Sequence, residues 1–145
     1  MRSLYRLAAI AAVSAAVLTT GVTAASAETA GITAADLKTT VEIGPMAHTC
    51  ILIETTAGAD VAEGCFQSDG DHVTAWDKRA DGLGVRVDWL TDYGRDGACN
   101  DRSSEGGRVD CNYNMDEDGR LKFQVELWKG DTRHAETEWT GWLAI

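Results

Sequence analysis

Apolar and polar residues alternate one by one along several stretches of this chain, and this alternation limits the folds available to it. The clearest case is Leu121–Trp128, where every second residue is large and apolar and the residues between are Lys, Gln and Glu. Val85–Trp89 and Val109–Tyr113 show the same pattern. A period of two is typical of a β-strand with one buried face, whereas a helix needs a period near 3.6. We therefore predict an all-β protein.

Weaker alternating runs extend this prediction along the chain, at Thr39–Ile43, Thr49–Thr55, Val61–Gln67, His72–Asp77 and Glu138–Ile145. Turns rich in Gly and Asp separate most of the runs. Seven or eight short strands about ten residues apart predict a small antiparallel β-sandwich, formed by a single domain at 37–145. The longest connection, Gly94–Gly107, is predicted to be a loop.

Four cysteines, Cys50, Cys65, Cys99 and Cys111, suggest cross-links in this small domain. An even number of cysteines in a short exported chain is typical of disulfides, here two. Three pairings are possible, and local order favours Cys50–Cys65 and Cys99–Cys111. Zinc is disfavoured, because there is no Cys-x-x-Cys pair and the three histidines are scattered.

The first 27 residues have the three parts of a secretory signal peptide. Arg2 and Arg6 precede an uncharged stretch, which ends in the small-x-small motif Ala25-Ser26-Ala27. A transmembrane anchor is the alternative, but the stretch is rich in Ala and Thr and the cleavage motif stands at its end. No cysteine follows the motif, so we expect a secreted protein without a membrane anchor.

The remaining chain is acidic, because the whole sequence has a net charge of −10 and cleavage removes two arginines. This charge argues against nucleic-acid binding, which needs a basic surface. Residues 28–36 contain only one large apolar residue, Ile32. We interpret them as a flexible N-terminal arm, either a frayed terminus or a segment that adds a strand to a partner.

Motifs for catalysis or metal binding are weak. The spacing of Asn114, Asp116, Asp118 and Gly119 resembles the first half of a calcium loop, but Val125 stands where the bidentate acid should be. An acidic hairpin tip is the simpler interpretation. There is no Gly-x-Ser-x-Gly motif and no spare cysteine. We therefore expect a protein that is not an enzyme and needs no metal or cofactor.

Five tryptophans in so short a chain are the clearest sign of a binding role. Trp89 shares the face of Val85 and Val87 and is predicted to lie in the core. The alternation places Trp76, Trp128 and Trp142 on the opposite faces of their strands, and aligns Trp139 with Leu143 and Ile145. Exposed tryptophan is typical of binding hot spots, although a second layer could also cover these faces. These three tryptophans and Ile32 are the candidate partner-binding residues.

Taken together, the cysteine pairs, the arm and the missing catalytic motif resemble small secreted actinobacterial β-sandwich proteins. Among them the chain is most similar to the adaptor subunits of umbrella toxin particles. The resemblance implies a secreted, non-enzymatic adaptor that links a lectin-like subunit to a large toxin subunit in competition between bacteria. It also implies that the arm inserts into the lectin-like subunit.

Two other functions fit the same sequence. A secreted inhibitor of a protease or glycosidase needs a rigid exposed loop, for which Gly94–Gly107, containing Cys99, is the candidate. A carbohydrate-binding module needs Trp76, Trp128 and Trp142 to form one flat platform.

Overall fold

Ten antiparallel strands make up more than half of the residues that the structure describes. The structure is a computed structural model, and it describes residues 33–45, 47–103 and 107–145. The strands are β1 Leu37–Ile43, β2 His48–Thr55, β3 Asp60–Gln67, β4 His72–Asp77, β5 Gly84–Thr91, β6 Asp96–Asp101, β7 Val109–Asn112, β8 Arg120–Lys129, β9 Thr132–Glu136 and β10 Leu143–Ala144. The predicted all-β sandwich is confirmed, with more strands than the seven or eight expected.

The strands form two sheets of unequal width. One sheet has the order β1-β2-β3-β4-β7, and we call it the wide sheet. The other has the order β10-β8-β5-β6, with β9 also paired to β8, and we call it the narrow sheet. Because β9 and β10 lie on the same side of β8, the narrow sheet is four strands across and the wide sheet is five.

The core lies between the two sheets and is built from the apolar positions of the alternating strands. Its largest fully buried side chains include Trp89, Phe66 and Phe123, so the predicted core position of Trp89 is correct. Gly64 on β3 faces the narrow sheet, and a Cβ there would lie 2.5 Å from Val125 and 2.6 Å from a second valine. The missing side chain lets the two sheets approach closely at this point.

Two disulfides connect the strands, with the favoured local pairing. Cys50 and Cys65 lie directly opposite each other on the neighbouring strands β2 and β3. Cys99 and Cys111 connect β6 to β7, which are edge strands of different sheets. The first bridge is therefore within one sheet, whereas the second joins the two sheets. Both fit an oxidising environment outside the cytoplasm.

The segment Gly94–Gly107 is not the predicted loop, because it contains strand β6. Cys99 from this strand is fully buried, and Asp101 is 3% exposed. Gly97 lies against Trp89, where a Cβ would come within 2.4 Å of the ring. The inner face of β6 is thus made of Gly, Cys and Asp, so the strand lacks the large apolar residues that reveal alternation in a sequence.

The C-terminal segment differs from the single strand predicted at Glu138–Ile145. β9 and β10 both pair with β8, and residues 137–142 between them do not form a regular strand. Between β9 and β10, two threonine hydroxyls take the place of backbone carbonyls as hydrogen-bond acceptors for β8. Thr137 Oγ1 accepts from the Val125 N–H, and Thr140 Oγ1 accepts from the Phe123 N–H, both at 3.0 Å. These hydrogen bonds give the backbone N–H groups of β8 their acceptors. The segment that supplies the hydroxyls does not keep the alternation of a regular strand.

The N-terminal predictions lie mostly outside the described residues. These are the signal peptide at 1–27 and the first part of the arm, including Ile32. The rest of the arm contains one 3₁₀ turn, Ala34–Asp36, which leads into β1. None of the described residues form a helix of the length and apolarity needed to cross a membrane.

Candidate binding face

Three tryptophans lie on the outer side of the narrow sheet, each beside a cation. Arg86 on β5 is 5.7 Å from the centre of the Trp128 ring. Lys122 on β8 lies between the other two, 5.3 Å from the ring of Trp139 and 5.1 Å from that of Trp142. Cations at these distances are attracted to an aromatic ring. We call these five residues the tryptophan face.

The face has an exposed end and a more enclosed end. Trp139 and Trp142 are 37% and 43% exposed, although both rings are large and apolar. The chain forms no regular strand between β9 and β10, and there both rings flank Lys122. Trp128, near the other end of β8, is half-buried. The two exposed rings are therefore the part of the face most available to a partner.

A buried carboxylate organises the enclosed end. Glu126 is 1% exposed, although it lies on the outer side of β8. Its oxygens accept hydrogen bonds from Trp128 Nε1 at 2.7 Å, Gln124 Nε2 at 3.0 Å and Arg133 at 3.1 Å. Because its oxygens are bonded on several sides, Glu126 holds the Trp128 indole in one orientation.

A second carboxyl group, Asp88 on β5, lies next to this cluster. It accepts a hydrogen bond from Arg86 Nε at 2.5 Å. Burial raises the pKa of Asp88, and the negative charge of Glu126 raises this pKa further, while the hydrogen bond from Arg86 lowers it. The enclosed end is thus a network of acidic and basic groups beneath one aromatic ring.

A cavity of about 590 Å³ opens beside Trp128. It lies between the start of β5, the end of β6 and the turn that joins β8 to β9. Its lining includes Asp77, Leu83, Arg86, Asn100, Arg102 and Trp128. The mixture of one aromatic ring, apolar surface and charged groups suits a partner's side chain or a sugar unit better than a purely apolar ligand.

Trp76 does not join this face, because it lies on the outer side of the wide sheet. Its ring is 4.7 Å from Lys78 Nζ and 5.3 Å from the Arg108 guanidinium. Both cations bind Glu63, at 2.7 and 2.6 Å. Trp76 is thus held between two cations of its own sheet. The single platform of Trp76, Trp128 and Trp142 required for the carbohydrate-binding alternative does not form.

Of the four candidate residues, the structure places Trp128 and Trp142 on the same side of the narrow sheet, near opposite ends of β8. Sequence reasoning missed Trp139, which it aligned with the inward residues Leu143 and Ile145. The sequence did contain a signal, because Gly141 interrupts the run and allows the chain to depart from a regular strand.

The acidic segment at 114–119 is not the hairpin tip expected from the sequence, because it joins β7 of the wide sheet to β8 of the narrow sheet. Local hydrogen bonds hold its turn. Asp116 Oδ1 accepts from the Asp118 N–H, and the Asp116 carbonyl accepts from the Gly119 N–H. Of the residues that the structure describes, only His48, Cys50 and Cys65 bring three possible metal-ligand atoms within 4.8 Å of one another. Both sulfurs of that group are in a disulfide and do not offer thiolates.

Comparison with known protein families, with curated proteins and with solved structures finds no match.

Proposed function

We propose that this protein is a secreted, non-enzymatic adaptor that binds other secreted proteins through its tryptophan face. The observation that carries the proposal is the exposed pair Trp139 and Trp142 with Lys122 between them. Tryptophan is enriched at the centres of protein interfaces, where it combines a large apolar area with a polar N–H group. The network around Glu126 supports this role by holding Trp128 in place before a partner arrives.

The class of partner comes from the resemblance to umbrella toxin adaptors. That resemblance suggests a lectin-like subunit and a large toxin subunit as the two partners. An adaptor needs two separate contacts, and the N-terminal arm with Ile32 is the second one we propose. The signal-peptide pattern at 1–27 and the two disulfides support secretion.

The experiment is capture of partners from the secreted fraction by the native protein, followed by mass spectrometry. We expect W139A and W142A each to weaken capture of one partner by about thirtyfold, since a hot-spot side chain contributes roughly 2 kcal/mol or more. The matched control is W76A, which removes a tryptophan from the opposite sheet and is expected to leave that capture unchanged. I32A is expected to weaken the capture of a different partner, the one that contacts the N-terminal arm.

Other outcomes would point to other functions. Binding of an oligosaccharide that needs Trp139 and Trp142, with no protein captured, would replace the proposal with a carbohydrate-binding module. Inhibition of a protease or glycosidase, lost when the 102–108 connection is changed, would favour an inhibitor. Equal capture by W139A, W142A and the unchanged protein would contradict the tryptophan face as the contact.

A further inference from the structure

Strand β1 is a long edge strand without the usual protection. It ends the wide sheet and, in the described part of the chain, pairs with β2 alone. It has seven residues and contains neither Gly nor Pro, whereas β7 at the opposite edge has four. Natural edge strands are usually short, heavily charged or interrupted, because free backbone groups attract another strand. β1 has one Lys and one Glu, so its own charge is zero.

The inner side of β1 is apolar and open to solvent. Val41 and Ile43 alternate on the side that faces the core in β2, yet they are 54% and 81% exposed. The cause is the unequal width of the sheets, since the narrow sheet does not extend across β1. An edge strand with an exposed apolar row can be covered by another strand that continues the wide sheet.

The hydrogen bonds to β2 define which backbone groups of β1 are free. The Gly44 N–H donates to the His48 carbonyl, and the Thr56 N–H donates to the Asp36 carbonyl. Groups that face one neighbour alternate along an antiparallel strand. Even-numbered residues of β1 therefore face β2, and the odd-numbered residues 37, 39, 41 and 43 direct their N–H and C=O groups to the open edge. An added strand must bond to these odd-numbered residues.

We infer that the added strand is β1 of a second copy, paired antiparallel across a two-fold axis at Thr40. In this register the odd-numbered residues bond to odd-numbered residues, with Leu37 opposite Ile43 and Thr39 opposite Val41. Thr40 lies opposite Thr40 of the second copy. All seven residues are paired, and the apolar residues of both strands form one continuous row.

The charges of β1 specify this same register. Lys38 lies opposite Glu42 of the second copy, and by symmetry Glu42 lies opposite Lys38 of that copy. Opposite charges facing each other across strands stabilise a pairing, and like charges destabilise it. A shift by two residues would remove both charge pairs and shorten the overlap. The strand is therefore complementary to itself, which argues for a second copy rather than an unrelated strand.

One strand from each copy makes a small interface, so we expect a reversible dimer whose population rises with protein concentration. The test is sedimentation of the native protein and two charge variants. E42K and K38E each place like charges opposite at both positions, and each alone is expected to associate about tenfold more weakly or worse. An equal mixture of E42K and K38E is expected to recover dimers, because each mixed pair again has opposite charges facing each other.

Two controls separate association from folding. K38E loses the ion pair between Lys38 and Glu54, which is 3.3 Å long, so circular dichroism must show an intact fold for both variants. V41P removes an N–H that faces the open edge rather than β2, so it is expected to give a folded monomer.

Two results would overturn the inference. One is a native protein that stays monomeric at every attainable concentration. The other is a mixture of E42K and K38E that associates no more than either variant alone. If the native protein stayed monomeric and its β1 edge instead bound a strand from a different protein, the inference would also be overturned.

Discussion

Glu126 shows how one residue can be polar in sequence and central in structure. It occupies an outward position of β8, where alternation predicts a solvated side chain, yet it is 1% exposed. Trp128, Gln124 and Arg133 cover it and donate hydrogen bonds to it. Alternation identifies the side of a sheet but not what covers that side. The burial of Glu126 thus depends on neighbours that the sequence alone does not place.

The neighbouring Asp88 gives a pH dependence with a definite sign. Because its pKa is raised in the fold, the folded state holds the proton more tightly than the unfolded state does. As the pH rises above the ordinary value of 3.8 and through the raised pKa, the contribution of Asp88 to the stability of the folded state is therefore lost. D88N removes this titration while keeping an oxygen for Arg86. We expect the decrease in the free energy of unfolding between this pH and neutrality to become smaller in D88N.

This expectation is measured by urea unfolding at a series of pH values. The matched control is D69N, a change at an exposed aspartate in a turn, which should keep the slope of the native protein. An unchanged slope in D88N would show that Asp88 does not contribute. Asp77, whose pKa is also raised by burial, contributes the same sign and should leave a residual slope.

Alternation predicted most strands well, both in its strong runs and in the weaker runs that became β1 to β4. β8, β5 and β7 were predicted close to their observed positions, because their inner residues are large and apolar. β6 was missed, since Gly97, Cys99 and Asp101 form its inner face. The C-terminal run was predicted as one strand, but hydroxyl groups replace carbonyls there. A pattern of side-chain polarity does not reveal that hydroxyl groups, rather than backbone carbonyls, accept the hydrogen bonds of the neighbouring strand.

The Thr140 hydroxyl is expected to stabilise the attachment of the C-terminal segment to β8. T140V removes the Oγ1 that accepts from the Phe123 N–H and leaves this donor without its partner. We expect the free energy of unfolding to decrease by about 1–3 kcal/mol. The amide of Phe123 should also exchange faster with solvent.

T140S keeps the hydroxyl and is the matched control, expected to remain close to the native protein in both measurements. If T140V were as stable and as protected as T140S, the hydroxyl bond would not matter to β8. The Trp139 and Trp142 side chains flank this residue, so their fluorescence reports any displacement of the exposed end of the tryptophan face.

For the whole molecule, the two disulfides have similar loop lengths but different positions. The sequence separations are 15 for Cys50–Cys65 and 12 for Cys99–Cys111. Loops of this size restrict the unfolded chain by similar amounts, about 3 kcal/mol each. Only the second bridge joins the two sheets, and its Cys99 is fully buried in the core. We expect C99A/C111A to lower the free energy of unfolding by more than C50A/C65A does.

The comparison requires guanidinium unfolding of both double variants under non-reducing conditions. Each variant retains one bridge and is the control for the other. An equal loss would mean that only the restriction of the unfolded chain matters. A greater loss in C50A/C65A would contradict the importance that we give to the link between sheets.

At this scale, the sequence predicted the fold more completely than the site. Alternation, turns and cysteine spacing were sufficient for a disulfide-linked sandwich. The same alternation selected Trp128 and Trp142, but it did not show that Trp76 belongs to the other sheet or that Trp139 joins Trp142. Those facts depend on the assignment of strands to sheets and on an irregular segment, and both arise from long-range contacts.

The narrow sheet covers only one side of the wide sheet, and this has a consequence for a dimer joined through β1. The two-fold axis at Thr40 is perpendicular to the shared sheet, so both narrow sheets lie on the same side of it. The two tryptophan faces then point toward that side and act as a bivalent surface. Against a target with repeated sites, such an arrangement increases avidity by roughly 10²–10⁴ without any new contact. Weak individual contacts are then sufficient for lasting attachment.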